Sequence, residues 1–77
     1  MIPEHAKYQI DQYVDKRIPP GGFIAAVLAN DLMEAFQRAD DINTEYMRDI
    51  VQYIYNNTPS NCHGSPEIVR QWIENSI

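Results

Sequence analysis

The chain has little cysteine and little positive charge. Cys62 is the only cysteine among 77 residues, so no disulfide can form within the chain. A lone cysteine is typical of proteins from reducing compartments. Six Lys and Arg residues stand against eleven Asp and Glu residues, which gives a formal charge of −5. Nucleic-acid binding depends mainly on basic side chains that neutralise phosphates, so this balance argues against a nucleic-acid ligand.

Long apolar runs are missing as well. No apolar segment approaches the roughly 20 residues needed to span a bilayer. The first residues also lack the basic start and apolar core of a signal peptide. We therefore expect a cytoplasmic protein without a membrane partner. The length predicts a single domain over residues 1–77, and the 44% hydrophobic share indicates a folded chain.

Apolar residues recur at helical spacing, and no stretch alternates with the period of a strand. The predicted fold class is an all-α single domain of four helices, with the second helix buried at the centre. The first helix is predicted to begin at Pro3 and to end near Lys16 or Arg17, before Pro19 and Pro20. Its buried face is expected to contain Ile2, Ala6, Ile10, Tyr13 and Val14.

The second helix is predicted to follow Gly21 and Gly22 and to continue through Ala39. Its first half is apolar on nearly all sides, as in a helix covered by several neighbours. Asn30 and Asp31 interrupt this apolar segment at its middle. The central buried stripe is predicted to contain Ile24, Leu28, Leu32, Ala35 and Ala39, with Ala25 and Phe36 beside it.

The last two helices have clear boundaries. Asp41, Asn43 or Thr44 is the expected cap of the third helix, which is predicted to end at Asn56–Asn57. The "SPE" motif predicts that Ser65 caps the fourth helix, with Pro66 at its first position. The buried stripes are Tyr46, Met47, Ile50, Val51 and Ile54 in the third helix, and Ile68, Val69, Trp72 and Ile73 in the fourth.

Three segments together form a recognisable pattern: "PPGGFIAAVLANDLMEAFQRAD", "DIVQYIYNNTPS" and "CHGSPEIVRQWI". In this pattern, over residues 18–73, the chain resembles a family of small, uncharacterised helical proteins encoded by bacteriophages and prophages. The chain has His63 where that family has Trp before the Gly-Ser turn. The resemblance implies a phage origin and a host-cytoplasm setting, but no particular activity. The matching residues are Gly22, Phe23, Ala26, Val27, Leu28, Asn30, Asp31, Leu32, Arg38, Ala39, Asp40, Gly64, Ser65 and Trp72.

Asp31 is the first candidate for a functional role, because it lies where the apolar stripe meets a polar strip that includes Glu34. A buried carboxylate costs several kcal/mol unless it is paired or hydrogen-bonded. One interpretation is that Asp31 caps another helix or accepts a hydrogen bond from a loop N–H, which would fix how the central helix docks. The other is that a basic residue of a partner meets Asp31 and Glu34.

Three tyrosines are further candidates for partner binding. Tyr8 points away from the apolar face of the first helix, while Tyr53 and Tyr55 flank the stripe of the third helix on opposite edges. Tyrosine is enriched at interface hot spots because it buries a large area at low entropic cost. Single exposed tyrosines are also ordinary on protein surfaces. Both interpretations stay open at this point.

No arrangement of residues indicates catalysis, a cofactor or a metal. His5, Cys62 and His63 are the only histidines and cysteine, and the adjacent Cys62 and His63 are poorly spaced to hold one zinc ion. Gly21 and Gly22 match neither the Walker loop nor the dinucleotide fingerprint, and we expect them to form a tight corner between helices. Cys62 lacks a clear base and orienting group. We expect no enzyme, no cofactor and no metal.

The leading hypothesis is a non-enzymatic protein-binding module, a phage-derived accessory protein that acts on a host or phage protein. Anti-defence inhibition, such as blocking a CRISPR complex, is one form of it. One alternative is a structural homodimer that completes its core through the second helix. Another is a helix-turn-helix regulator, although the third helix offers only Arg48 and Gln52 among acidic neighbours for reading DNA.

Overall fold

The computed structural model describes residues 1–75, so the last two residues of the predicted 1–77 domain lie outside the described range. All regular secondary structure within residues 1–75 is helical, which confirms the all-α prediction. The four-helix count is wrong, because this range contains six α-helices and one 3-10 turn. They are α1 (Glu4–Lys16), α2 (Gly22–Leu28), α3 (Leu32–Arg38), α4 (Asp41–Glu45), α5 (Met47–Asn57), the turn Ser60–Cys62, and α6 (Pro66–Glu74).

Asn30 divides the predicted second helix into α2 and α3. Its φ is 60°, in the left-handed region that Asn tolerates better than most residues. Its amide donates to the Val27 carbonyl at 3.1 Å, and the Asp31 amide donates to the Ala26 carbonyl at 2.9 Å. This pair of hydrogen bonds is the Schellman motif, which ends a helix and satisfies its last carbonyls. The prediction of one continuous central helix is therefore wrong.

Asp31 begins the next helix. Its side chain accepts a hydrogen bond from the Glu34 amide at 3.2 Å, so Asp31 is the N-cap of α3. Asp31 caps a helix, as one interpretation expected. The capped helix is α3, which is the second half of the predicted central helix rather than a different helix of the fold. Its side chain is also exposed rather than buried at a packed edge. The adjacent amide and carboxylate thus have consecutive roles, since Asn30 ends one helix and Asp31 starts the next.

The predicted third helix is also divided, at Tyr46, where φ is −102° and ψ is 17°. Asp40 is the cap of α4, because its carboxylate accepts from the Asn43 amide at 2.7 Å. The predicted caps Asp41, Asn43 and Thr44 are wrong, since all three lie inside α4. The end of α5 at Asn57 agrees with the prediction.

The core forms where α1, α2, α5 and α6 meet. Helix α2 is the most buried, with four of its seven residues in the core, which agrees with its predicted central position. The expected faces of α1 and α5 are buried at Ala6, Ile10, Tyr13, Ile50 and Ile54. The prediction that Val51 is buried is wrong, because it is 46% exposed. The α2 residues in the core are Phe23, Ile24, Ala26 and Leu28.

Helix α3 does not continue this burial. Ala35 is its only buried residue, while Leu32 is 67% exposed and Phe36 is 47% exposed. The prediction that Leu32 and Phe36 belong to the core is therefore wrong. The left-handed residue Asn30 changes the direction and phase of the helix, so the stripe projected from α2 does not carry through α3.

Tyr13 joins the first helix to the C-terminal part of the chain. Its hydroxyl donates to the Cys62 carbonyl at 2.7 Å, and its carbonyl accepts from the indole N–H of Trp72 at 2.9 Å. Arg17 adds a hydrogen bond to the Trp72 carbonyl at 3.0 Å and places its guanidinium 3.7 Å from the centre of the indole ring. These contacts fix both the 3-10 turn and α6 against α1.

The loop before α6 closes the end of α2. The Gly64 amide donates to the Leu28 carbonyl at 2.7 Å. The φ of Gly64 is 129°, a backbone conformation that residues with a side chain rarely adopt. Ser65 then caps α6 through its hydroxyl, which accepts from the Ile68 amide at 3.1 Å. Pro66 is the first helical residue, so the predicted start of this helix is confirmed.

Within residues 1–75, none of the helices has both the length and the hydropathy that a membrane crossing requires.

Two leucines of the central segment provide a matched test of this fold. Leu28→Ala should lower the free energy of unfolding by about 2–5 kcal/mol, because Leu28 is fully buried. Leu32→Ala should change it by less than about 0.5 kcal/mol, because Leu32 is exposed. Chemical denaturation followed by circular dichroism measures both. Equal losses would mean that α2 and α3 form one buried helix after all.

The buried hydroxyl of Tyr13 predicts a stability change at alkaline pH. Burial raises the pKa of Tyr13. A group whose folded pKa is raised stabilises the fold fully below its unfolded pKa, about 10 for Tyr, and loses this contribution as the pH rises further. The free energy of unfolding should therefore fall above a pH of about 10.

Tyr13→Phe should lower the free energy of unfolding by about 1–3 kcal/mol at neutral pH, because it leaves the buried Cys62 carbonyl without its donor. The same variant should show a shallower alkaline loss than the parent. Tyr8→Phe is the control, since Tyr8 is 66% exposed, and at neutral pH it should stay within about 0.5 kcal/mol of the parent. If Tyr13→Phe loses stability at alkaline pH as steeply as the parent, the Tyr13 hydroxyl does not stabilise the fold through its hydrogen bond.

Candidate functional site

An open groove lies among α2, α3, α5 and the loop at Gly64, with a volume of about 290 Å³. Three of its lining residues, Leu28, Ala35 and Ile54, belong to the buried core. Its lining is mainly apolar. The remaining lining residues are Val27, Asn30, Asp31, Leu32, Met47, Val51, Tyr55, His63 and Gly64.

Three lining residues expose large apolar side chains to solvent. Leu32 is 67% exposed, Val51 is 46% exposed and Tyr55 is 79% exposed. Val51 and Tyr55 are four residues apart on α5, so they lie on the same side of that helix. Leu32 comes from the first turn of α3, directly after the Asn30–Asp31 break. The break therefore brings apolar residues of two helices to the rim of one concave surface.

Helix α3 carries further exposed apolar surface beside Leu32. Met33 is 78% exposed and Phe36 is 47% exposed. Isolated apolar residues on a surface are ordinary. Several of them on one short helix, next to an apolar groove, are instead typical of an interaction site.

Among residues 1–75, Asp31 is the only charged residue that lines the groove. One of its carboxylate oxygens accepts the Glu34 amide, as the cap of α3 requires. The ion pairs among residues 1–75 do not involve Asp31. Its carboxylate therefore has acceptor capacity that the described residues do not use.

Glu34 lies near Asp31 but does not line the groove. Its carboxylate pairs with Arg38 one turn later, at 2.8 Å, and both side chains are about half exposed. Glu34, Asp31 and Arg38 also border a second, more open depression between α3 and α6. The two acidic candidates are thus neighbours, but only Asp31 faces the apolar groove.

The three candidate tyrosines lie in different places. Tyr55 lines the groove, whereas Tyr8 borders a shallow depression beside Pro19 and Pro20. Tyr53 is partly buried, and its hydroxyl donates to Asp11 on α1. Burial and this carboxylate together raise the pKa of Tyr53. The structure therefore brings Asp31 and Tyr55 to one surface, and it places Tyr53 in the contact between α1 and α5.

Most residues of the groove lining have no binding role in the sequence-based prediction, which includes only Asp31 and Tyr55 among them. It places Leu32 and Val51 in buried stripes and weighs His63 only as a zinc ligand. The sequence did contain a signal for Val51 and Tyr55. Together with buried Ile54 they make the apolar face of α5 wider than one neighbouring helix can cover, so part of that face is expected to stay exposed.

The exposure of Leu32 follows from the break at Asn30. The available signal for that break was Asn30 as a helix-ending residue, followed by Asp31 with Glu34 three residues later as the pattern of a helix start.

The groove is small, and apolar side chains form most of its lining. Its volume is at the lower limit of small-molecule pockets, which span about 300–1,000 Å³. Cys62 is buried away from solvent, and burial raises the pKa of its thiol, which disfavours the reactive thiolate. Within residues 1–75, no cluster of three or more His, Cys, Asp or Glu side chains is arranged to hold a metal ion.

Comparison of the chain with protein-family models, with curated proteins and with solved structures finds no match. The geometry of the groove is therefore the basis for a functional interpretation.

Two substitutions at Asp31 separate its role as a cap from its charge. Asp31→Ala removes the acceptor for the Glu34 amide and should lower the free energy of unfolding by about 0.5–2 kcal/mol. Asp31→Asn keeps a good N-cap residue, so it should stay within about 0.5 kcal/mol of the parent. Thermal melts measure both. Equal losses in the two variants would show that the charge itself stabilises the fold.

Proposed function

We propose that the protein is a non-enzymatic protein-binding module that holds apolar side chains of a partner in the groove between α3 and α5. The observation that carries this proposal is the exposure of Leu32, Val51 and Tyr55 around an apolar cavity of about 290 Å³. Exposed apolar groups next to a concave surface gain free energy when a partner removes them from water.

The rim of the groove fits this role in composition. Interface hot spots are enriched in aromatic residues that are flanked by apolar neighbours, and Tyr55 is the large aromatic of the rim. The groove also rests on the core through Leu28 and Ile54, so its shape is held by the best-packed part of the fold. A preformed surface of this kind binds at a lower ordering cost than a mobile one.

In biological terms we propose a phage or prophage accessory protein that acts in the host cytoplasm on a host or phage protein. Inhibition of a host defence complex, such as a CRISPR complex, is one form of that activity. The support for this part is the residue pattern of the sequence, from Gly22–Phe23 through Asn30–Asp31 to Ser65 and Trp72.

Self-association is the second candidate function, and the apolar surface of α3 favours it. A second copy that covers Leu32, Met33 and Phe36 would bury side chains that are 47–78% exposed in one chain. Such a homodimer would use the second predicted helix, as the sequence suggested. Sedimentation over a range of concentrations distinguishes it from binding to a different protein.

A matched pair of tyrosine substitutions tests the proposed function. Tyr55→Glu places a charge in the groove, whereas Tyr8→Glu makes the same change at a similarly exposed tyrosine outside it. Both proteins should melt within about 0.5 kcal/mol of the parent. Immobilised parent and Tyr8→Glu proteins should retain the same partner from phage-infected cells, and Tyr55→Glu should lose it.

The opposite result would place function elsewhere. If Tyr55→Glu retains the partner and Tyr8→Glu loses it, the depression beside Pro19 and Pro20 is the binding surface. If both variants capture what the parent captures, the groove proposal is wrong.

A further inference from the structure

We infer that the segment bound in the groove is a basic amphipathic helix of a partner protein, with apolar side chains in the cavity and a Lys or Arg side chain at Asp31. This inference rests on the proposed function, because it names the occupant of the same groove. It commits to a cationic partner rather than to a second copy of this chain.

The charge of the groove favours a cation. Among residues 1–75, Asp31 is the only charged residue in the lining, which includes no Lys or Arg. Within the same range its carboxylate accepts one hydrogen bond, from the Glu34 amide, so its second oxygen can accept from a partner. A guanidinium or ammonium group placed there would add an ion pair at the rim of an apolar contact.

The charge of the whole chain acts in the same direction. The chain has six basic residues and a formal charge of −5. Four of the six are already engaged within residues 1–75, because Lys7, Arg38 and Arg70 form ion pairs and Arg17 stacks on Trp72. The surrounding field therefore attracts a cationic segment and repels a second copy that carries the same excess of negative charge.

The shape of the groove favours a helix over an extended segment. Strand addition requires the open edge of a sheet, and residues 1–75 contain no strand. Recognition of proline-rich segments requires a groove lined by several aromatic rings, and Tyr55 is the only large aromatic in this lining besides the imidazole of His63. Of the common modes that bury apolar side chains in a groove, the remaining one lays the apolar face of a helix into it, with anchors at i, i+3, i+4 and i+7.

Three synthetic peptides provide the test, used with the complete chain. The probe is a helical peptide with leucines at i, i+3, i+4 and i+7 and lysines on its other faces. The first control replaces its lysines with glutamates, and the second replaces its leucines with serines. The probe should bind, with amide shifts in nuclear magnetic resonance spectra concentrated at Leu32, Val51 and Tyr55. Neither control should bind measurably.

A pair of charge variants then locates the cationic contact. Asp31→Asn keeps the cap of α3 but removes the charge, and it should weaken binding of the lysine probe about two- to fivefold, as for a partly exposed ion pair. Asp15→Asn removes the same charge from an exposed position on α1 outside the groove, and should weaken it less. Added salt should reduce the difference between the two variants.

Four results would overturn the inference. The lysine probe fails to bind, or the glutamate peptide binds as tightly as the lysine probe. Asp31→Asn and Asp15→Asn weaken binding of the lysine probe equally, or the chain forms a dimer that dissociates on Tyr55→Glu substitution. The proposed function has its own point of failure, the comparison of Tyr55→Glu with Tyr8→Glu in partner capture. If the chain binds its partner through Tyr55 but prefers the glutamate peptide, the proposed function stands and the inference of a basic helix is wrong.

Discussion

The structure depends on Tyr13, a fully buried side chain that connects the first helix to the last part of the chain. Its hydroxyl reaches the Cys62 carbonyl, and its backbone carbonyl receives the indole N–H of Trp72. A chain of 77 residues buries only about 60% of its unfolded surface, so apolar burial alone leaves it marginal. Satisfied polar contacts at the centre of so small a core therefore specify one arrangement of its helices.

The same connection positions the groove. With Cys62 held against Tyr13, the next residues pass the end of α2, where the Gly64 amide meets the Leu28 carbonyl. That bond caps α2 from outside, while Asn30 turns the chain and Asp31 starts α3. Leu32 is then presented to solvent opposite Val51 and Tyr55. The exposed apolar rim is thus a consequence of how the core is closed.

Stability and the proposed binding depend on different halves of the central segment. Helix α2 is buried by its neighbours and serves the core, whereas α3 has one buried residue and keeps its apolar side chains outside. Apolar surface that is left exposed on a short helix contributes nothing to folding, and it becomes favourable only when a partner covers it. Asp31 links the two halves, since it caps α3 and also lines the groove.

The sequence by itself determined the helical class, the buried face of α1, the burial of Ile50 and Ile54 in α5 but not that of Val51, the burial of Phe23 to Leu28, and the start of α6 at Ser65 and Pro66. These features follow from local periodicity and capping. It identified Asp31 and Tyr55 as candidate residues without placing them on one surface. Only the tertiary structure decided the break at Asn30 and the exposure of Leu32. An Asn in mid-helix is compatible with both a continuous and a broken helix, and the energy difference is small. The contact that accompanies the break comes from Gly64, far along the chain, which no local pattern around Asn30 encodes.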